Sequence, residues 1–373
     1  MFINFWYVAE QSENLTDQPI RKKMLGQNFV LFRDESGKPR CLSDICIHRG
    51  SSLSAGKIAG NCIQCPYHGW RFDGEGKCHR IPSLGKEAKI PKRAKIDSYP
   101  TTEIYGLVFC FLGDLPEKQR CPILEVKEYD WEDWRATTQH FQFDIDYKRS
   151  IENGIDGAHN EFVHPTHGFS GEDEDYKSPP IDMKLTEWGT GFFNKVYAPP
   201  LKEKKMRKAS GRAVNAVVEA GTGHHGISML WTYIHPTPEI LIHQYAFETP
   251  IDETSTSIYL INTRNFLTDP KDDERVMERN QVVAFQDRDV LVNINPVLTP
   301  NKIKNEFFVP MDRPLKRYRE LLEKWQQKGW RIDSETVNNN RLSHAYAIPS
   351  PGRRKTKGWV VDSIPILEKN SAY

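Results

Sequence analysis

Two short hooks of sulfur and nitrogen donors carry the chemistry most legible in this chain: Cys46-Ile47-His48 and, after sixteen intervening residues, Cys65-Pro66-Tyr67-His68. Thiolate and imidazole together suit a transition metal. A structural zinc site takes Cys2His2 ligation, but zinc fingers usually pair Cys with Cys and His with His. Here each hook carries one of each. The same four donors suit a [2Fe–2S] cluster, with Cys46 and Cys65 on one iron and His48 and His68 on the other. Imidazoles in place of two thiolates raise the potential of such a cluster, so it can accept electrons from a ferredoxin or reductase.

A second motif runs Asn153-Gly-Ile-Asp156-Gly-Ala-His159-Asn-Glu-Phe-Val-His164-Pro165. On a helix spanning about Ser150 to Val163, Asp156 and His159 share a face. His164 would not, but Pro165 disfavours helical geometry at the residue before it. The helix is expected to end at Val163, and His164 can then turn back toward His159. Two imidazoles and one carboxylate make the facial set of non-haem iron(II) oxygenases, with positions left open for O2 and substrate. The best carboxylate is Asp287, in Ala284-Phe-Gln-Asp287-Arg-Asp289. On a helix it shares a face with Val276, Val283 and Val290, a stripe expected to face the core, where a carboxylate is normally paired or metal-bound. Asp289 lies beside Val282 and Phe285, so periodicity alone leaves it open. His167 and the pair His224-His225 are further imidazoles to be weighed.

The elements that must position these groups fall into two kinds. Before about residue 115 the chain reads as short strands and turns: Phe29–Phe32, Arg40–Leu42, an Asp73-Gly74 hairpin signal and a buried run at Tyr105–Leu112. A polar, turn-rich stretch follows from Gly113 to Pro122. Beyond it come strand-like runs at 213–219, 227–234, 240–247 and 256–263, and helical patterns at about 272–292 and 315–328. The expected fold class is α+β: a small all-β metal-binding domain over 1–115, and an antiparallel-sheet-and-helix domain over 116–373. The stretches Glu172–Asp175 (acidic) and Lys202–Lys208 (basic) are expected to be solvated loops. The glycines of Gly221-Thr-Gly-His-His-Gly226 match a dinucleotide fingerprint, but no helix pattern follows, so a hairpin turn is expected there.

With 373 residues and a formal charge of +1, the chain gives no electrostatic case for nucleic acid or an anionic membrane surface. It has no apolar run long enough to span a membrane, and its first residues lack the pattern of a signal peptide. All seven cysteines fall between Cys41 and Cys121. An odd count in one region argues against a secreted disulfide framework and for a reducing cytoplasm.

At both motifs the chain resembles the catalytic (α) subunits of Rieske non-haem iron oxygenases. Arg49-Gly50 after the first hook, Gly69-Trp70 after the second, the N-x-x-D-x-x-H-x4-H motif and the late Asp after Gln carry the resemblance over nearly the whole chain. It implies a Rieske [2Fe–2S] cluster on Cys46, His48, Cys65 and His68, and a mononuclear Fe(II) on His159, His164 and Asp287. It also implies that Asp156 bridges His159 to His68 of a neighbouring subunit in a head-to-tail homotrimer, with Asn153 near the iron. With no nicotinamide or flavin site of its own, the chain would draw NAD(P)H electrons through a separate reductase, directly or by way of a ferredoxin. O2 would be the co-substrate in hydroxylation or oxidative demethylation of a small organic, ring-containing molecule. The segment around Asp287 resembles the homo-oligomeric monooxygenase and demethylase branch. The alternatives are a ring cis-dihydroxylating α subunit and, in another class, a plain Rieske electron carrier. Such carriers end soon after the cluster domain, whereas this chain has a long second part with its own metal motif.

Overall fold

A computed structural model describes residues 1–200, 204–209, 216–300 and 303–368. The chain forms two compact units. The first comprises Met1–Ile123, Thr249–Asp252 and residues 325–368; the second comprises Leu124–Glu248 and Glu253–Lys324.

The first unit contains eleven strands before residue 113: β1 (Phe5–Gln11), β2 (Ile20–Met24), β3 (Gln27–Arg33), β4 (Pro39–Ser43), β5 (Lys57–Ala59), β6 (Cys62–Gln64), β7 (Arg71–Asp73), β8 (Cys78–Arg80), β9 (Ser98–Tyr99), β10 (Thr101–Ile104) and β11 (Leu107–Leu112). They make three small sheets, ordered β1-β11-β10, β2-β3-β4-β9 and β5-β6-β7-β8. The expected hairpin joins β7 to β8. Its left-handed residue is Gly76 rather than Gly74, because Asp73 Oδ1 accepts from the backbone N–H of Glu75 and Lys77 (both 2.9 Å) and draws the turn out. A core of Val30, Phe32, Leu42, Leu53, Ile63, Phe72, Ile81 and Ile96 lies beneath the hooks and includes Cys46 and Cys65. The returning 325–368 segment is held by Asp97, which accepts two hydrogen bonds from Arg353 (2.8 and 2.7 Å) and one from Ser350 Oγ (2.7 Å).

The second unit is built on a seven-stranded sheet ordered β12-β18-β17-β16-β15-β14-β13. Its strands are β12 (Arg135–Phe143), β13 (Lys184–Leu185), β14 (Gly189–Ala198), β15 (Ala216–His225), β16 (Met229–His235), β17 (Ile242–Pro250) and β18 (Thr256–Arg264). Strands β14 to β17 are successive antiparallel neighbours, and β12 returns antiparallel to β18. Helices α1 (Tyr147–Gly154), α2 (Asn160–Val163), α3 (Lys204–Ala209), α4 (Asp273–Leu291) and α5 (Arg313–Gln327) accompany it. Strands backed by helices give the expected α+β class.

Four local expectations change. The segment 150–163 is two helices, not one: α1 stops at Gly154 and α2 starts at Asn160. Asp156 Oδ1 accepts from Ala158 N (2.7 Å), a local turn that competes with helical bonding. The expected end at Val163 is observed. The valine stripe of α4 is not uniformly inward: Val276 is buried, Val283 half-buried and Val290 exposed. Of the basic stretch, Lys204–Lys208 lies in helix α3, while Lys202 and Glu203 lie outside the described residues. The glycines from Gly221 sit mostly within β15, and only Gly226, at positive φ, opens the turn into β16. There is no room for a side chain at the first of them, since a Cβ on Gly221 would meet Phe192 O at 2.1 Å. The exposed turn at Glu172–Asp175 is as expected.

Candidate functional site

In the first unit the two hooks are built alike despite their different spacing. Gly50 N donates to Cys46 O (2.8 Å) and Gly69 N to Cys65 O (3.1 Å), so each closes on a glycine four residues after its cysteine. Both glycines have φ of +69°, a conformation other residues adopt only at a cost of roughly 1–2 kcal/mol. Asp44 braces the first hook by accepting from Ser52 Oγ (2.6 Å), Ser54 N (2.7 Å) and Ser54 Oγ (2.9 Å). Trp70 stacks on the His48 ring at 4.9 Å, with 8° between planes.

This framework sorts the donors into two pairs. The cysteines are buried, and the Cys46 thiol lies against Cys65. The histidines are exposed, with Nδ1 of His48 and Nδ1 of His68 3.1 Å apart. The four donors do not converge on one point. Among the described residues, the set of three or more His, Cys, Asp or Glu whose ligand atoms all lie within 4.8 Å is a different one. A sulfur pair and a separate nitrogen pair fit two irons and not a single zinc ion. Burial chiefly, with the neighbouring Cys65 sulfur adding to it, pushes the Cys46 thiol up to about 12, so metal binding there displaces a proton. Desolvation, His68 and Arg49 lower His48, which favours the neutral imidazole that a metal needs.

In the second unit, the convergent set is His159, His164 and Asp287. His159 and His164 flank α2 as the residues before its first turn and after its last. Their Nε2 atoms are 3.2 Å apart. Asp287 Oδ1, from α4, lies 3.7 Å from His159 Nε2 and 3.2 Å from His164 Nε2. Two nitrogens and one carboxylate oxygen on one side suit a non-haem iron and leave its other side open. Asp289 points elsewhere: it is exposed and pairs with Arg288 (2.6 Å).

Neighbouring side chains fix the three donors. Asn153, near the end of α1, donates from Nδ2 to Asp287 Oδ1 (3.0 Å). Gln286 Oε1 accepts from His164 Nδ1 (3.0 Å) and from Thr166 Oγ1 (3.1 Å). That bond commits the His164 proton to Nδ1 and leaves Nε2 free to ligate. Among the described residues, buried His159 Nδ1 has no hydrogen-bond partner; Asp156 Oδ2 stands 3.8 Å away, short of a bond. Burial pulls His159 down, but Asp156 and Asp287 more than offset this and hold it above its ordinary value.

The position of α1 rests on close packing. A Cβ at Gly154 would come 2.5 Å from Leu230 Cδ1, and Thr222 Oγ1 donates to Gly154 O (2.6 Å). Glu152 and Arg319 pair inside the unit (2.6 and 2.8 Å). The other imidazoles serve elsewhere. His167 packs on the His164 ring at 4.8 Å. His224 is buried, its Nδ1 facing Gly226 O, and burial drives it down to about 4. Sequence reasoning gave no role to Gln286 or Thr166. The one available signal for Gln286 was its place beside Asp287 on a helix.

Comparison with known proteins supplies the family. Residues 5–100 match the Rieske [2Fe-2S] domain, and residues 143–328 match the vanillate O-demethylase oxygenase C-terminal domain. The toluene-4-sulfonate monooxygenase system iron-sulfur subunit TsaM1 of Comamonas testosteroni is 27% identical over 344 residues, 87% of this chain and 97% of that protein. The fold is similar to that of the Pseudomonas putida CBB5 NdmA QL mutant with caffeine, at a TM-score of 0.73 and 23% identity over 87% of this chain and 91% of that one. It is also similar to apo dicamba monooxygenase, at a TM-score of 0.68 and 21% identity over 88% and 98% of the two chains. The chain belongs to the Rieske non-haem iron oxygenases, as a terminal oxygenase that receives electrons from a separate reductase or ferredoxin through a [2Fe–2S] cluster and uses a mononuclear non-haem iron with O2.

Proposed function

We propose that this chain is a monooxygenase of the demethylase-like branch, acting on a small ring-containing substrate. Cys46, His48, Cys65 and His68 hold the cluster, and His159, His164 and Asp287 hold the iron. The observation that carries this reading is the convergence of His159, His164 and Asp287 within 4.8 Å, in a region matched by the vanillate O-demethylase oxygenase domain. The near-full-length similarity to a monooxygenase subunit supports the same branch. The first unit is the electron-receiving part, and the second carries the chemistry.

When bound, the cluster supplies one-electron relay and the iron supplies O2 activation. The protein's own part is positional. Gln286 holds the tautomer of His164, and Asn153 orients the Asp287 carboxylate. Asp156 uses one oxygen in its own turn and leaves the other facing His159. A carboxylate there can accept from His159 on one side and from His68 of a partner subunit on the other, fixing both rings. His68 is exposed and Asp156 half-buried, as such a bridge requires. With the family resemblance, such a bridge supports reading the working molecule as a head-to-tail homotrimer. None of the seven cysteines, all among the described residues, is in a disulfide, which suits a reducing cytoplasm. Among the described residues no helix is long and apolar enough to cross a membrane.

The test is turnover of the reconstituted protein with a generic reductase, NADH and a panel of methoxylated, N-methylated and fused-ring compounds. Formaldehyde release is expected. A cis-diol product would replace this reading with a ring dihydroxylase, and a protein that carries only the cluster's irons would be an electron carrier. In Asp156→Asn both metals should stay bound while single-turnover electron transfer to the iron is lost. Coupled, normal product formation by that variant would remove Asp156 from the electron path.

A further inference from the structure

The sheet of the second unit has a second group of nitrogen donors on the face turned away from α1. Leu230 and Thr222 meet the end of α1, so strand alternation sends Trp231, Tyr233 and His235 to the opposite face. Tyr233 is in register with His243 and Trp231 with Tyr245, which puts β17 donors on that face too. There His235 Nε2 and His243 Nε2 face each other at 2.9 Å.

The environment of His243 is that of a prepared ligand. Its Nδ1 donates to Glu128 Oε1 (2.9 Å), and Tyr245 OH donates to Glu128 Oε2 (2.7 Å). Glu128, His243 and Tyr245 are all buried. With its proton committed to the carboxylate, His243 presents the Nε2 lone pair to His235. A carboxylate backing an imidazole in this way fixes the tautomer and raises the basicity of a metal-ligating histidine. Two other imidazole pairs in this protein approach as closely, His48 with His68 (3.1 Å) and His159 with His164 (3.2 Å), and both are read as ligand pairs. His235 is half-buried, so water can complete the coordination. Glu219, in register with His235 on β15, adds negative charge nearby.

We propose that His235 and His243 form a binding site for a late divalent transition metal, separate from the iron site and built on the opposite face of the same sheet. The spacing selects the metal class. With metal–nitrogen bonds of about 2.0–2.1 Å, a 2.9 Å separation subtends an angle of roughly 90°, the cis angle of a square-planar or octahedral ion and not the wider tetrahedral one. Imidazole donors in tetragonal geometry favour Ni2+ and Cu2+.

The experiment titrates Ni2+ into the cluster- and iron-loaded protein by calorimetry, with iron and nickel counted per chain afterwards. One saturable nickel per chain is expected, with iron content unchanged. His235→Ala should weaken that binding at least 100-fold, and Glu128→Gln by roughly 10- to 100-fold through the loss of His243 orientation. If His235→Ala unfolds, as judged by circular dichroism, His235→Gln takes its place. In an independent readout, Cu2+ bound to the oxidised protein should give an EPR signal split by two imidazole nitrogens. The proposal is overturned if wild type takes up no saturable nickel, if nickel enters only as iron leaves, or if the histidine variant binds it as well as wild type does.

Discussion

At the scale of single residues, the two proposed donor sets differ in how they are held. The cysteines proposed for the cluster are fixed by burial in the core, while the residues proposed for the iron are fixed by hydrogen bonds from side chains around them. Gln286 is the clearest case, because it alone is seen to hold His164 Nδ1. Gln286→Leu keeps the bulk and removes the acceptor. Iron affinity should fall by roughly 10- to 100-fold with the cluster retained, measured as iron per chain against chelator concentration. Undiminished iron binding would mean that α2 alone orients His164. The proposed ligands could be picked out from the sequence, since Cys, His and Asp announce themselves by type and spacing. Gln286 was not, because a glutamine on a polar helix has no pattern that separates a buried acceptor from a solvated one.

At the scale of elements, the end of α2 at Val163, where His164 leaves helical geometry, is what brings two histidines five residues apart to one point. A continuous helix would have spread them around its axis. The sequence showed where the motif stops, because Pro165 has a fixed steric effect. It did not show the break between α1 and α2, since the Asp156 turn is one of several outcomes open to an Asp-Gly-Ala stretch, and contact with β16 is non-local. Gly154 is the tightest point of that contact. Gly154→Ala should destabilise the protein by about 1–3 kcal/mol through overpacking against Leu230, despite the better helix propensity of alanine. Adding Leu230→Ala should return part of the loss relative to Leu230→Ala alone. Thermal denaturation of the four proteins of this cycle gives the coupling, and strict additivity would show that Gly154 is not limited by Leu230. Strands β3, β4, β11 and β15 to β18 and the helices α4 and α5 were legible from periodicity, which depends only on near neighbours, whereas β1, β12 and β14 were not read from it. The return of residues 325–368 to the first unit has no such local signature, because it depends on distant partners such as Asp97 for Arg353.

At the scale of the whole molecule, stability should depend on pH through a group that belongs to neither donor set. Glu248 is fully enclosed; burial raises its carboxyl to about 8, against the smaller opposing effect of the Ser150 hydroxyl. Its Oε2 has no partner among the described residues. An unfolded chain would release this proton near pH 4.3. Between those values the folded state binds more protons than the unfolded one, so stability falls as pH rises from about 4.3 through 8. The contribution amounts to a few kcal/mol, on the order of 1.4 kcal/mol for each tenfold change in proton affinity. Glu248→Gln should flatten the alkaline decline and raise Tm at pH 9, while leaving Tm at pH 5 nearly unchanged. An identical pH profile in both proteins would show that Glu248 stays ionised in the fold.

The split between buried sulfurs and exposed imidazoles also sets an order of manufacture. Cys46 and Cys65 belong to the same packed group as Phe32, Ile63 and Phe72, so a delivery machine cannot touch those thiols once that group has closed. His48 and His68 stay accessible from outside. On that geometry, iron and sulfur are expected to reach the cysteine side while the small β module is still open, with the histidine side joined last.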